Sequence, residues 1–211
     1  MNKLILVIVM VMGTMAAALD APSAAHGAAG PATTLVCDNT KADPYTGTYA
    51  RVTVPRGASC YLKNAVVTGN LKALHGARTV VVLNTEVGRN IHIRGAKRRV
   101  KIGPAGCRVD PPVGNNIKVT RSHNVAICFM TVNDNIMVTR NDGRIMLRNN
   151  DVGEQIQVTD NLPYDRKPGD GHHPRIAAIR LFDNVAGGHI VVRRNAGRQL
   201  ISAGNAPAPT T

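Results

Sequence analysis

The side chains best able to do chemistry in this sequence are its basic ones. Lysine and arginine total 26 against 13 aspartate and glutamate residues, so the 211-residue chain carries a formal net charge of +13 at pH 7. Arg121, Arg140 and Arg194 hold equivalent places in a repeated pattern, and Arg94 and Arg99 lie near it. Like charges about 5 Å apart repel by about 1 kcal/mol per pair even in water, so their accumulation favours a polyanionic partner. The alternative is a solvated basic surface without a specific ligand.

The aromatic content narrows the kind of polyanion. Aromatic residues make up 3% of the chain and tryptophan is absent, whereas single-stranded nucleic acids stack on aromatic side chains beside a basic track. Nucleic acid is therefore a poor candidate partner, and so is a neutral sugar that needs an aromatic platform. The charge pattern favours an anionic cell-envelope polymer or an acidic polysaccharide, and a membrane surface stays open as a third choice.

Carboxylates are the residues that would indicate an enzyme. Lyases and glycosidases use clustered carboxylates, either to hold Ca²⁺ or as an acid and base pair. The acidic residues of the central repeats are Asp134, Asp142, Asp151, Glu154 and Asp160. Most lie in Asn- and Gly-rich stretches where Asp is a common turn residue, and no two share an aligned strand position. We therefore expect a non-catalytic protein, with a lyase or hydrolase that uses an arginine base near Asp160 as the alternative.

A metal-binding arrangement is suggested by His172 and His173, which follow Asp165 and Asp170 in a Pro- and Gly-rich stretch. Histidine and carboxylate ligands suit transition metals. Neighbouring residues of an extended loop point in opposite directions, however, so a plain surface loop is the favoured interpretation. The cysteines show none of the short spacings that zinc sites use. The sequence therefore predicts no metal site and no cofactor.

The four cysteines, Cys37, Cys60, Cys107 and Cys128, form an even set in a chain that begins like an exported protein, which favours two disulfides. Four cysteines allow three connectivities. Cys37 and Cys60 are about one repeat apart, and so are Cys107 and Cys128, and stacked strands about 4.8 Å apart would bring each pair within disulfide distance. We expect sequential pairing, with Cys37–Cys60 at the N-terminal end and Cys107–Cys128 across an enlarged turn. The other pairings stay open.

The elements that must position these side chains are repeated strands. Val-Gly-Asn-Asn-Ile-Lys-Val-Thr-Arg at 113–121 recurs in altered form at 132–140 and 152–160, with a period of about 20 residues. In each copy, apolar residues such as Ile117 and Val119 alternate with polar ones, the pattern of a half-buried strand, and a second short strand follows. Such units cannot bury themselves alone. The sequence predicts an all-β, parallel β-solenoid of about six coils of roughly 20 residues, with disulfide staples.

Asparagine recurs at the predicted corners of the coils. The two sets are Asn70, Asn90, Asn116 and Asn135, with Gln155 in the same place, and Asn141, Asn161 and Asn195. Asparagine tolerates the left-handed conformations of sharp corners, and stacked amides can hydrogen-bond from coil to coil. We expect these amides to be structural, with glycan binding as the alternative.

The chain divides into a leader, one domain and flexible ends. The expected divisions are a signal peptide at 1–27, a flexible linker at 28–36, the solenoid domain at 37–201, insertion loops at 103–112 and 162–175, and a flexible tail at 202–211. The leader combines a positive start, an apolar run and small-residue cleavage positions. We expect the mature protein to be secreted, to lack a transmembrane segment and to associate with the cell surface.

Several segments resemble those of a known family. They are Thr-Gly-Asn-Leu-Lys at 68–72, Val-Gly-Arg-Asn-Ile at 87–91, Val-Gly-Asn-Asn-Ile-Lys at 113–118, Thr-Gly-Thr-Tyr at 46–49 and the stretch Val52–Leu62. From about Cys37 to Asn195 the chain resembles secreted bacterial right-handed parallel β-helix repeat proteins. The resemblance implies that fold and its hand, which parallel crossovers also prefer. The fold carries pectate-lyase-like enzymes, phage tailspikes and adhesive proteins, so it implies little about activity.

The function that the sequence favours is a secreted, envelope-associated solenoid that binds an anionic polymer through a ridge of arginines. Its expected members are Arg94, Arg99, Arg121, Arg140 and Arg194. A polysaccharide-active enzyme of the same fold is the first alternative. The second is a self-assembling structural protein whose end coils stack on other copies.

Overall fold

The computed structural model describes residues 33–104, 112–162, 164–165, 175–176, 179–196 and 200–210. These residues form strands and turns and wind as a parallel β-solenoid of about 7 turns, which confirms the predicted fold class. Within these ranges the structure has no helix long and apolar enough to cross a lipid bilayer. The predicted signal peptide at 1–27, Cys107, His172, His173 and most of both predicted insertion loops lie outside the described residues.

Each turn has three faces, and the first face is built from the repeated Ile-x-Val segments. Inward apolar residues alternate there with outward polar ones, as buried Ile91 and Ile93 do with exposed His92 and Arg94. The strands of the first face are β1 (Thr33–Val36), the second half of β2 (Tyr45–Val54), β4 (Leu71–Ala73), β7 (Ile91–Arg94), β10 (Ile117–Thr120), β13 (Ile136–Thr139), β16 (Ile156–Thr159) and β21 (Ile190–Arg193).

The second face follows the first in every turn, and the third face closes the turn. The second face comprises the first part of β3 (Ser59–Val67), β5 (Thr79–Leu83), β8 (Arg99–Ile102), β11 (His123–Cys128), β14 (Asp142–Arg148), β19 (Ile179–Phe182) and β22 (Leu200–Ala203). The third face comprises the remaining parts of β2 and β3, with β6 (Glu86–Val87), β9 (Pro112–Val113), β12 (Thr131–Val132), β15 (Asp151–Val152) and β20 (Val185–Ala186). A separate antiparallel pair joins β17 (Tyr164–Asp165) to β18 (Arg175–Ile176).

The core is a set of apolar columns down the interior. On the first face, Ile91, Ile117, Ile136, Ile156 and Ile190 pair in register through successive turns, and all five are fully buried. A buried isoleucine contributes roughly 1.5–3 kcal/mol relative to an exposed one. Because side chains alternate along a strand, a slip of one residue would turn the whole column outward, so these columns fix the register.

The number of strands and turns differs from the prediction. The repeat pattern predicted two strands in each coil and about six coils, whereas the structure has three strands in most turns and about 7 turns. The strands of the third face were missed because a two-residue strand with one inward side chain, such as Val132 or Val152, shows no alternation. The last turns follow the same order, with Ile179–Phe182 on the second face and Ile190–Arg193 beginning the next turn on the first face.

Both ends of the solenoid extend further than expected. The strand Thr33–Val36 pairs with β2, although it lies in the predicted flexible linker 28–36. Instead of ending at 201 before a flexible tail, the chain pairs Leu200–Ala203 in register with Ile179–Phe182. Isolated bridges then join Ala206 to the third face and Thr210 to the first face. The described residues 200–210 are thus part of a last turn.

The first predicted disulfide is present. Cys37 and Cys60 are bonded with their Cα atoms 5.2 Å apart, and both are fully buried at the N-terminal end of the core. Cys128 is buried on the second face. Because Cys107 lies outside the described residues, its pairing with Cys128 stays a prediction.

The first corner, between the first and second faces, contains a left-handed residue followed by an inward one. The left-handed residues are Gly57, Gly76, Gly95, Arg121, Arg140, Asp160 and Arg194. The inward residues that follow them are Ala58, Ala77, Ala96, Ser122, Asn141, Asn161 and Asn195. In the later turns the inward amides form a ladder, in which Asn141 donates from its backbone N and its Nδ2 to Asn161 Oδ1, and Asn161 does the same to Asn195. This ladder confirms the structural role predicted for these asparagines.

The second corner, between the second and third faces, carries a ladder that the sequence analysis missed. Asn150 donates from its backbone N and Nδ2 to Asn184 Oδ1, and Asn184 donates in the same way to Asn205. Each Nδ2 also donates to a backbone carbonyl of the turn before, as Asn184 does to Leu147 O at 3.1 Å. Among the described residues, no buried side-chain nitrogen or oxygen of these rungs is left without a hydrogen-bond partner.

The third corner, between the third and first faces, carries the other predicted ladder. Asn90 and Asn116 each donate from backbone N and Nδ2 to the Oδ1 of the asparagine one turn earlier, and the series continues through Asn135 to Gln155. This ladder is half-buried. The turns stack so closely beside it that a Cβ on Gly114 would collide with the carbonyl oxygen of Gly88.

Candidate functional site

The outward side chains of the first face form two columns that run along the solenoid axis. In the first, Lys72, His92 and Lys118 lie in register on β4, β7 and β10, and we call these three residues the cationic column. Adjacent strands are about 4.8 Å apart, so the three side chains occupy roughly 10 Å of the axis. Met137 and Gln157 continue the same line as neutral residues.

The second column consists of Thr120, Thr139 and Thr159, which lie in register on β10, β13 and β16. Arg94 precedes these threonines and Arg193 follows them in the same line. The first column is therefore cationic in its early turns and neutral in its later ones. The second column presents three hydroxyl groups with an arginine at each end.

A shallow groove follows the cationic column. It has a volume of about 730 Å³, and its charged or titratable side chains are Arg51, Lys72, His92 and Lys118, with asparagines of the third corner along one side. No carboxylate lines this part of the groove among the described residues. The surface continues past Arg94 to the first corner, where Arg121 and Arg140 lie beside the threonine column.

Arg121 and Arg140 are brought together as the sequence predicted. They occupy the first corner in consecutive turns, where Arg121 N donates to Thr139 O and Arg140 N to Thr159 O. Both have left-handed backbones, with φ of 51° and 57°. The left-handed region is crowded for a residue with a Cβ, and it is usually occupied by glycine, asparagine or aspartate. The two arginines therefore hold strained backbone positions at the edge of the groove.

Arg194 shares the corner but is engaged by a carboxylate. Its Nε lies 2.7 Å from Asp160 Oδ1 and its second guanidinium nitrogen 3.1 Å from Oδ2, an exposed two-pronged ion pair. The hydrogen bond from Arg194, then its charge and that of Arg140, lower the pKa of Asp160 below its ordinary 3.8. The ion pair is therefore complete above about pH 3.8 and is lost as the pH falls through the lower folded pKa. Arg194 presents less free charge to a ligand than Arg140 does.

The remaining two predicted residues lie on different faces. Arg94 is exposed at the end of β7, in register with Thr120 and on the same surface as Arg121. Arg99 begins β8 on the second face, where Arg98 and Arg144 lie near it. The predicted ridge is thus a group of Arg94, Arg121 and Arg140 beside the first face, with Arg99 on a separate surface.

His92 stands between the two lysines of the cationic column, and its protonation is correspondingly disfavoured. Partial burial lowers the pKa of His92 below its ordinary value of 6.5, and the charges of Lys118, Lys72 and Arg94 lower it further. The unfolded chain therefore binds this proton more readily than the folded protein. The contribution of neutral His92 to stability is complete above about pH 6.5 and is lost as the pH falls toward the lower folded pKa.

The carboxylates that would serve an enzyme divide among corners and faces. At the third corner Asp134 accepts a hydrogen bond from Asn116 and Glu154 accepts one from Asn135, so both support the amide ladder. Asp142 bonds His123 at 3.1 Å on the second face. Asp151 begins β15 on the third face, and Asp160 bonds Arg194. In the part of the chain that the structure describes, no three His, Cys, Asp or Glu residues gather in a metal-binding group.

Lys72, His92 and Lys118 were not among the predicted site residues, although each lies between two inward apolar residues of an Ile-x-Val segment or its equivalent. The signal that would have found them is the outward position of that motif, compared from turn to turn. Arg121, Arg140 and Arg194 follow their strands, whereas these three residues lie inside theirs.

No protein-family model matches this sequence, and it matches no curated protein and no solved structure. The fold class therefore rests on the structure itself.

Proposed function

We propose that this protein is a secreted, non-catalytic β-solenoid that binds an anionic polymer along its first face. The observation that carries the proposal is the pair Arg121 and Arg140, held in left-handed conformations at the edge of a groove whose base carries the cationic column. A left-handed residue other than glycine is strained by roughly 1–3 kcal/mol, and such strain is concentrated at functional sites. In the first three turns glycine occupies this left-handed position, so arginine is not needed to form the corner.

The distribution of charge supports an anionic ligand. Lys72 and Lys118 flank His92 on neighbouring strands, and Arg94 follows it on the same strand. The only described carboxylate on the adjoining surface, Asp160, is bound to Arg194. Cations held this close repel one another, and a bound anion would relieve that repulsion. Lysine ammonium groups act as point charges that suit phosphate, sulfate or carboxylate without demanding one geometry.

The shape supports an extended ligand over a compact one. The groove is shallow and open, and its charged groups repeat at the spacing of the strands. From Lys72 to Arg140 the basic surface crosses three strand spacings, roughly 14 Å along the axis. A linear polymer laid parallel to the axis would meet a new cation at each turn, whereas a small anion would meet one or two.

The setting we propose is the cell envelope outside the cytoplasm. The Cys37–Cys60 disulfide is compatible with an oxidising, extracellular location, and the apolar leader at 1–27 is the reason to expect export. Anionic envelope polymers are abundant there and would present the repeated charges that the first face fits.

The test is retention of the mature protein on purified cell envelope and on dextran sulfate across a salt series. We expect the logarithm of the affinity to fall linearly with the logarithm of the salt concentration, by the counterion release known for nucleic acids. An Arg121→Gly/Arg140→Gly variant keeps the corner conformation and should reduce the slope by about 2, roughly one for each cation lost.

The matched control is Arg99→Ser/Arg144→Ser, which removes the same charge from the second face. We expect it to keep most of the wild-type slope. Equal losses in the two variants would show that only net charge matters, and retention that ignores both salt and substitution would reject the proposed function.

A further inference from the structure

His92 gives the first face a charge that can change between pH 5 and 8, which its lysines and arginines cannot supply. His92 lies in register between Lys72 on β4 and Lys118 on β10, and it points outward on the exposed side of β7. Its side chain therefore forms the middle of the cationic column. Lysine and arginine keep their charge from pH 5 to 8, whereas histidine gains or loses its charge in that range.

The groups that face His92 all oppose its protonation in the free protein. They are Lys72 on the strand before, Lys118 on the strand after and Arg94 two residues along the same strand, and partial loss of solvent acts in the same direction. Arg51 lines the same groove one turn beyond Lys72. The adjoining corner adds Arg121, Arg140 and the carboxylate of Asp160, which Arg194 engages.

We infer that His92 couples binding of an anionic polymer to uptake of a proton, so that the first face holds its ligand more tightly in mildly acidic surroundings. The inference rests on the proposed function and adds the regulation of that same surface. A polymer anion laid along the cationic column replaces the repulsion around His92 with attraction, and the imidazolium form becomes the favoured one. Linkage is reciprocal, so a ligand that promotes protonation is itself bound more strongly when the proton is available.

The ligand chemistry that fits this device is a polymer of sulfate or phosphodiester groups. Such groups keep their charge across the range in which histidine titrates, so a fall in pH adds a cation to the protein without removing an anion from the ligand. Polymers of this kind serve as probes because any change of affinity between pH 5 and pH 7.5 must then arise in the protein.

The experiment measures binding of dextran sulfate to the disulfide-intact mature protein at pH 5 and pH 7.5 over a salt series. We expect roughly fivefold tighter binding at pH 5, the factor for one added pair of opposite charges in contact in water. The salt slope should become steeper by about 0.7–0.9, one more counterion released. NMR titration of the His92 ring should show that the polymer raises its pKa.

Two substitutions separate the charge of His92 from its shape. His92→Gln should bind at both pH values as weakly as the wild type does at pH 7.5, and His92→Lys should bind at both as tightly as the wild type does at pH 5. His123→Gln, on the second face beside Asp142, is the control and should keep the wild-type dependence on pH.

The outcomes distinguish this inference from the proposed function. Binding that is salt-dependent but equal at pH 5 and pH 7.5 overturns the proton coupling and leaves the anion-binding surface intact. A pH dependence that survives in His92→Gln also overturns it, because another group must then titrate. Absence of binding at every pH and salt concentration overturns both.

Discussion

The first three turns of the solenoid and the last four build the same corners from different chemistry. In the first three, the left-handed residue of the first corner is glycine and the inward residue after it is alanine. In the last four, the left-handed residue is arginine or aspartate, and the inward residue is Ser122 and then asparagine. The second corner changes in the same direction, from Ala65 and Thr85 to Asn150 and Asn184.

The comparison shows that a parallel solenoid can close its corners in two ways. Alanine at the first corner fills little space and buries no side-chain polar group, so at that corner the first three turns depend on backbone hydrogen bonds. The Cys37–Cys60 bond closes the same end of the solenoid covalently. An asparagine brings a donor and an acceptor into the interior. These are tolerated because the next turn accepts from its Nδ2 and the turn before donates to its Oδ1. The later turns therefore depend on one another through their side chains as well as their backbones.

The largest expected effect comes from breaking a rung of the later turns. Asn184→Ala removes the acceptor of two buried donors of Asn150 and the donor to Leu147 O, and each unpaired buried group is destabilising by roughly 1–3 kcal/mol. We expect the free energy of unfolding, measured by urea denaturation, to fall by about 4 kcal/mol.

The control for that rung is Asn135→Ala at the half-buried third corner. Water can reach the groups it leaves, so a loss of about 1 kcal/mol is expected. Equal losses at the two positions would contradict the view that the later corners depend on buried, mutually paired amides.

The next effect tests the covalent closure of the early turns. A Cys37→Ala/Cys60→Ala variant opens a link between residues 23 positions apart, for which chain entropy predicts a loss of about 3 kcal/mol. Hydrogen exchange should show lost amide protection in β3 and β5 while β14 and β16 keep theirs. A uniform loss along the solenoid would show instead that the turns unfold as one unit.

The smallest effect converts a late corner into an early one. Arg140→Gly removes a left-handed residue with a Cβ, so we expect the free energy of unfolding to rise by about 1 kcal/mol while polyanion binding weakens. Arg194→Gly should gain less because it also loses the ion pair with Asp160. The reverse change, Gly95→Arg, should destabilise because a Cβ there collides with the ring of His75. A loss of stability in Arg140→Gly would remove the strain on which the proposed function rests.

The sequence allowed the strands of the first two faces to be predicted because their period-two pattern repeats. Ile117 and Val119 recur as Ile136 and Val138 and then as Ile156 and Val158, and their columns are buried in register as expected. The first disulfide and the ladders at the first and third corners were predictable for the same reason, since a repeat places equivalent residues one strand spacing apart.

Other features could not be predicted because they carry no pattern along the chain. A strand such as Val185–Ala186 is too short to alternate, and Asn205 lies in a stretch of Pro, Ala and Thr that resembles a tail until its amide pairs with Asn184. For the candidate site, the clustering of Arg121 with Arg140 follows from the repeat. The place of His92 between two lysines also follows from the repeat, because all three hold the outward position of their segments. The place of Arg99 on another face depends on where the chain bends at the first corner.

The direction of the amide ladders determines when the hydrogen bonds of each turn can be completed during folding. At the second corner the Nδ2 of each asparagine donates to the Oδ1 of the asparagine in the next turn. Asn150 therefore lacks this acceptor until Asn184 is in place, and Asn184 lacks it until Asn205 is in place. A turn that has just been made therefore keeps unpaired donors until its partner asparagine is made, 34 residues later for Asn150 and 21 residues later for Asn184. This takes about 1–7 seconds at about 5–20 residues per second during synthesis. Asn205 needs no acceptor from a further turn, because its Nδ2 donates to Leu181 O and to Ser202 Oγ and Ala203 O of its own turn. The second corner is thus completed only when Asn205 pairs with Asn184.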